Sequence, residues 1–359
     1  EMAKEGTVAL TKTLHLFEPP DAIVKQIQDP AGTLFPGNGM FIGQNRPFGA
    51  LISYVVNKPA EEKKEEGNTK SDKKPDDKGA KKVDSKKEEA PQDAKAGEKK
   101  DDTKKIKFDS LTLEIFNMNN EKIRTIKQKV PEENGLNRFT WSLTEKGMRG
   151  ASREKPKAGA AEPSGTTVLP GAYKLRMTYG NQKDSAMIHV LYDPRYTLAA
   201  GVLESRYKMI KDLEKLTALT AEATTRLRES LDVADEMEKK MKDSKQDQYK
   251  EALEKTKVVK DSINALFDYI LGKEDKRQGI VRQRDPTPVS YIGAAQFYIS
   301  SSLDPVSATD QRVFNFAGDK VTEVVDKVNK FYEKQWPEYR VAMEKIVISP
   351  FKDYQPLKK

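Results

Sequence analysis

Near Tyr196 the apolar residues of this chain change their spacing from two to three-or-four, and no single motif constrains the fold as strongly. Before that point apolar and polar side chains alternate, as in strands with one buried face. Beyond it they recur on one face of a helix. A chain that changes period once and does not change back is expected to segregate sheets from helices, because βαβ units would alternate the two periods. A length of 359 residues suits two or three domains.

In the second part, Leu213, Leu216, Thr220, Ala223, Leu227, Leu231, Ala234, Met237 and Met241 trace one stripe. The spacing predicts a helix from near Leu198 of about 45 residues, or ~65 Å, broken at Asp243-Ser244. Tyr249, Leu253, Thr256, Val259, Ile263, Leu266 and Ile270 predict a second helix, stopped by Gly272. After an Arg- and Pro-rich loop (273–288) come a short apolar helix around 291–299 and a stop at Asp304-Pro305. A last long helix starts near Ser307, with Phe314, Ala317, Val321, Val324, Val328, Phe331 and Gln335 facing inward. Pro337 is expected to kink or end it, with Tyr339 to Ile346 continuing beyond. Three long helices with one apolar stripe each make an up-down-up bundle, whose methionines and aromatics are core.

The first part contains six or seven short strands. They cover 48–56, 111–116, 122–130, 136–143, 173–179 and 185–192, with turns at 117–120, 131–135 and 180–182. Leu111, Leu113 and Ile115 point inward; so do Ile123, Thr125 and Ile126 of the next strand, and Trp141 fills the centre. The fold class is therefore mixed β then α: an antiparallel Ig-like β-sandwich followed by an up-down helical bundle. The expected domains are a connector over 1–37, the sandwich over 38–193 and the bundle over 194–359.

Residues 58–105 are a different material. They hold 16 Lys and 14 Asp or Glu, with Val83 as the only large aliphatic side chain. Such a segment cannot bury enough apolar area to offset its chain entropy, so it is expected to be a disordered insert in a surface loop. Its nearly balanced charge, without Arg or interleaved aromatics, argues against nucleic acid as a partner. The chain as a whole carries a net charge of +8, and +6 without the insert.

Reactive chemistry is scarce. No cysteine is present, which excludes disulfides, thiolate metal sites and cysteine nucleophiles. The only histidines are His15 and His189; the latter lies between Ile188 and Val190 and points away from both. Gly37, Gly39 and Gly43 mimic a dinucleotide fingerprint but precede a strand, where no phosphate-binding helix begins. Arg277, Arg282 and Arg284 could grip an anion, but a solvated interhelical loop is the better reading. No catalytic, cofactor or metal residue is assigned. No stretch approaches the ~20 apolar residues of a membrane span. The opening Glu-Met-Ala lacks a signal-peptide pattern, so a piece of a longer protein is expected.

Four segments carry a resemblance. They are Leu14-His15-Leu16-Phe17-Glu18-Pro19; Asn45-Arg46-Pro47-Phe48-Gly49-Ala50-Leu51-Ile52-Ser53-Tyr54; Gly135 to Leu143, containing Asn137 and Trp141; and Leu169-Pro170-Gly171-Ala172-Tyr173, followed by Asp193-Pro194-Arg195. Together they resemble the region that follows the β-propeller in bacterial Vps10/sortilin-like proteins with BNR (Asp-box) repeats, of the Bacteroidetes type. The match to the second segment departs from the family at Arg46, where it has proline. The resemblance implies that Gly49 permits close packing, Trp141 plugs the sandwich, Pro170-Gly171 sets a hairpin, and Asp193-Pro194-Arg195 turns the chain into the helices. It also implies export to the periplasm, the outer-membrane surface or the medium, and a non-catalytic accessory role whose partner is the upstream propeller or another chain. The alternative is part of a secreted glycan or peptide hydrolase whose active site lies on the propeller, with Arg149, Arg153 and Tyr179 lining the cleft.

Overall fold

A computed structural model describes residues 5–24, 48–59, 108–195, 197, 199–244, 249–273, 285–302 and 304–346. The two periods separate as the sequence requires, with sheets first and helices after.

Two sheets share one core. The smaller has the order β1 (Leu14–Leu16), β3 (Ala50–Val56), β6 (Gly135–Trp141), all antiparallel. The larger has the order β2 (Ala22–Val24), β10 (Gln182–Tyr192), β9 (Gly171–Tyr179), β4 (Ser110–Phe116), β5 (Lys122–Lys129). Its β2–β10 pair is parallel, so the arrangement is not antiparallel throughout. The stretch read as a connector thus supplies a strand to each sheet, because Leu14, Leu16 and Ala22 bury their side chains in the common core. Ile52, Tyr54 and Trp141 from one sheet meet Leu113, Ile115, Leu175 and Met177 from the other. Gln128 donates across to the Tyr54 hydroxyl at 2.8 Å.

Two glycines are needed where backbone comes close. Gly49 has φ +106°, and a Cβ there would lie 2.3 Å from the Trp141 carbonyl oxygen. Gly180, in the tight turn joining β9 to β10, has φ +57° and lies against the Phe108 ring.

β5 meets expectation in part: Ile123 and Ile126 pack against the core as the sequence suggests, but Thr125 does not join them. Arg124, Ile126 and Gln128 share a side, and Arg124 is the buried member; Thr125 has the opposite parity and its backbone N–H is taken by Glu162. Pro170-Gly171 also fails to make a hairpin. β8 (Ser164–Thr167) pairs with β7 (Thr144–Lys146), and the chain crosses at Pro170-Gly171 into β9 of the larger sheet. Pro170 has no N–H with which to prolong the small ladder.

The helices form an up-down-up arrangement with one addition. α1 (Val202–Ser244) runs 43 residues. α2 (Lys250–Leu271) descends beside its C-terminal half, and the short α3 (Pro288–Ser300) continues beside its N-terminal half. α4 (Ala308–Lys330) then runs back along both. The core is accordingly split in two: Leu227, Ala234, Ile263, Phe267 and Val324 in one cluster, Leu213, Ala295, Ile299, Ala317 and Val321 in the other. α3 and α4 both open on capping boxes, Thr287 with Ser290 and Ser307 with Asp310.

Pro337 does not end the last helix. Phe331–Gln335 form a π-helical turn, in which the Trp336 N–H reaches the Phe331 carbonyl, and α5 (Trp336–Glu344) continues with Pro337 in its first turn. The wider turn shifts the register, so Gln335, expected inside, is exposed, while Tyr339 and Met343 take the inner positions. Among the described residues no helix is long and apolar enough to cross a membrane.

Candidate functional site at the seam between sheets and helices

A dense polar cluster lies where the β7–β8 ribbon meets α1. Arg124 holds the ribbon from the sheet side: Nη1 donates to the carbonyls of Thr144 (3.3 Å) and Glu145 (2.9 Å) and to the Thr144 hydroxyl, while Nη2 donates to the Ser164 hydroxyl at 3.0 Å. The Trp141 indole N–H adds a bond to the Thr144 carbonyl at 3.0 Å. So anchored, Glu145 faces α1 and accepts from the Tyr207 hydroxyl at 2.5 Å and from Lys211 at 3.2 Å. Lys211 also pairs with Glu214 at 2.7 Å, and Glu214 accepts from the Thr166 hydroxyl at 2.9 Å and its backbone N–H at 3.3 Å.

Tyr207, Tyr173 and Lys211 all hold their protons more tightly than usual. Burial raises the Tyr207 phenol above its ordinary range, and the neighbouring Glu145 carboxylate raises it further. Burial, with Glu145 nearby, pushes Tyr173 up to about 12. Burial alone would lower the Lys211 ammonium, but Glu214 and Glu145 outweigh it and hold the group above its usual value. Chemically the cluster is a clamp: neutral phenols and a charged ammonium, each committed to a carboxylate or carbonyl.

A second clamp lies farther along α1. Arg153, in the loop after β7, donates to Asp268 at 2.6 Å and to the Gly272 carbonyl at 3.0 Å, at the C-terminus of α2 where a cation is favoured. Its guanidinium stands 5.3 Å from the centre of the Phe267 ring. Arg228 returns from α1 to the carbonyls of Ser152 (2.9 Å) and Arg153 (3.1 Å). A cavity of about 230 Å³ lies between the β8–β9 segment, the start of α1 and α3, lined by Val168, Pro170, Tyr207, Ile210, Gln296 and Ile299 among others. Arg206, also at its wall, is spent on helix ends: it donates to the carbonyls of Ile299 (2.6 Å), Asp304 and Pro305 (3.4 Å) and to Asp310 at 3.2 Å.

The motif residues fall into separate places. Gly49, Trp141 and Tyr173 come together: Trp141 is fully buried, its ring meets Tyr173 edge-on at 5.7 Å, and the Tyr173 hydroxyl donates to the Leu169 carbonyl at 2.6 Å. The Asn137 side chain bonds the Gly135 carbonyl in its own strand, at 3.0 Å. Asp193 is buried and accepts from the backbone and guanidinium of Arg195 as Pro194 leads toward α1. Asn45, Pro47, the glycines at 37, 39 and 43, the arginines at 277, 282 and 284, and the insert from 60 onward lie outside the described residues. Arg149, Arg153 and Tyr179 do not line one cleft. Arg149 ties the carbonyls of Ala160 and Ala161, Arg153 sits on α2, and Tyr179 is fully buried in the sheet core.

Sequence reasoning missed Glu145, Tyr207, Lys211 and Glu214. The only signal was an i, i+4, i+7 row of Tyr207, Lys211 and Glu214 on a helix, which reads as a solvated face until the ribbon covers it. It also missed the environment of His15, whose Nδ1 lies 3.0 Å from Asp184 while Nε2 meets Glu5. His189 is exposed, 3.6 Å from Asp21. Among the described residues no group of three or more metal-ligating side chains converges.

No protein-family model and no curated protein matches the chain. One solved structure, described as pT26-6p, is similar at 15% identity over 62% of this chain, with a TM-score of 0.15, a level that carries no argument about fold or function. The alignment spans 41% of that structure's own length.

Proposed function

We propose that this chain is a non-catalytic accessory and scaffolding region of an exported bacterial sortilin-like β-propeller protein, an Ig-like sandwich joined to a helical bundle. Its work is to hold interdomain or protein–protein contacts. The observation that carries the reading is the double clamp: Glu145, Tyr207, Lys211 and Glu214 at one place and Arg153, Arg228 and Asp268 at another commit their polar groups to joining sheets and helices. Such a join suits a spacer of fixed geometry, whereas turnover requires uncommitted acids, bases or nucleophiles. The four segments resembling the post-propeller region supply the setting.

The test is to mix the chain with the separately produced propeller encoded on its N-terminal side and follow size-exclusion elution and titration calorimetry. A stable complex is the expected result. Absence of Asp-box repeats on that side, or a propeller that ignores the chain, overturns the proposal.

A further inference from the structure

A groove between α2 and α4, away from the clamps, has a composition suited to a particular partner. Ser262, Ala265, Leu266 and Tyr269 stand at i, i+3, i+4 and i+7 along one side of α2. Lys327, Lys330 and Lys334 form the opposite wall, and Phe331, almost wholly buried, forms the floor. Small side chains at 262 and 265 leave a depression of about 480 Å³.

One end is closed by satisfied groups. The Lys327 ammonium lies 4.9 Å from the centre of the Tyr269 ring, and the Tyr269 hydroxyl donates to Glu323, which pairs with Lys320 at 2.6 Å. The rest is open, and Lys330 and Lys334 have no ion-pair partner among the described residues. Several other lysines of this bundle do, among them Lys240 with Glu236, Lys242 with Glu238, Lys255 with Glu251 and Lys260 with Asp235. The groove therefore joins an apolar floor to a basic wall in which Lys330 and Lys334 are left without an ion-paired carboxylate among the described residues.

We infer that this groove receives an acidic amphipathic helix from a partner protein. The lysines are spaced three and four residues apart, ~4.5 and ~6 Å along the axis. A helix lying nearly parallel to α4 repeats that spacing when its carboxylates are themselves three and four residues apart beside a narrow apolar stripe. Nucleic acid fits poorly, since the wall has no arginine and Asp326 and Glu333 interrupt the basic surface of the same helix. The occupant is identified by charge and shape, so the inference does not depend on the propeller setting.

The test uses the full chain and two fluorescein-labelled peptides of roughly 20 residues, long enough to hold a helix. Both carry leucine on a heptad stripe; one has glutamate beside the stripe and the other lysine. The glutamate peptide binds, more weakly as salt rises, and the lysine peptide does not. The triple variant Lys327→Glu, Lys330→Glu, Lys334→Glu weakens binding about tenfold or more. Ala265→Trp, which fills the depression without changing charge, weakens it comparably, while Lys257→Glu, on another side of the same helix, leaves it unchanged. Circular dichroism confirms that each variant keeps its helix content. The inference is overturned if the glutamate peptide does not bind, if it binds equally to the triple variant and Ala265→Trp, or if only phosphatidylglycerol vesicles bind at these lysines.

Discussion

The sheet half and the helical half stabilise themselves by different means. Between the sheets lies one continuous apolar core with large fully buried aromatics, Trp141, Tyr54 and Tyr179, and its contacts join strands distant in sequence. The helical half splits its core into two clusters and buries polar groups within it: Thr220, Thr224 and Thr256 on helix carbonyls, and the Arg206–Asp310 pair with side chains only 6% and 7% exposed. The sheet core depends on shape and volume, which large-to-small changes disrupt. The helical core depends on polar groups that must stay paired, so loss of one partner strands the other.

The largest effect should come from the sheet side. Trp141→Ala should cost about 3–5 kcal/mol, measured by denaturant unfolding followed by far-ultraviolet circular dichroism. A cost near 1 kcal/mol would mean that the sheets do not depend on this plug. On the helical side, Arg206→Ala strands three carbonyls and leaves Asp310 without its cation, though still bonded to Ser307, and should cost about 3 kcal/mol, with the double change Arg206→Met, Asp310→Asn recovering part of it. No recovery would show that shape, and not pairing, governs that core as well.

The clamp variants ask whether the halves unfold as one. The chain has one tryptophan in each, so Trp336→Phe reports on the sheets and Trp141→Phe on the helices. Glu145→Ala should cost about 1–3 kcal/mol and separate the two fluorescence transitions; coincident transitions after this change would remove the clamp's role.

Acid should weaken the helical half first. Burial alone would raise the Asp310 carboxyl, but the Ser307 N–H and hydroxyl with Arg206 outweigh it and hold it below its ordinary range. Glu238 is pushed down to about 2 by Lys242 and Lys260. For a lowered carboxyl the stabilisation is complete above about pH 4 and fades as pH falls below it. The Trp336 signal should therefore lose thermal stability between about pH 4 and 2, and Asp310→Asn should blunt the loss. The smallest effect is alkaline. Burial and Glu145 raise Tyr173, so stability should decline as pH climbs from about 10 to about 12, visible as late phenol ionisation by absorbance.

The helices were the more legible half. Their stripe residues Leu213, Ala223, Leu227, Ala234, Ile263, Val321 and Val324 are buried, because a helix needs only local spacing to declare its inner face. Gln335 escaped because one wide turn resets that spacing, and nothing in the periodicity before Pro337 announces it. Strand positions were legible wherever alternation was clean, as at Leu111, Leu113 and Ile115. Arg124 escaped because its long polar side chain ends on backbone carbonyls of a ribbon that only the tertiary fold brings near. The clamp was hidden for a similar reason. Glu145 and Lys211 are 66 residues apart, and a charged pair has no sequence signature once its members sit on different elements.

The widened turn at Phe331–Gln335 works as a phase shifter. One surplus residue rotates everything downstream by about 100° around the helix axis. Tyr339 can thereby meet Thr256 across the bundle at 3.2 Å, and Pro337 falls where no backbone donor is required of it. Excising a single residue from that turn should restore ordinary winding, yet point the entire terminal rod the wrong way.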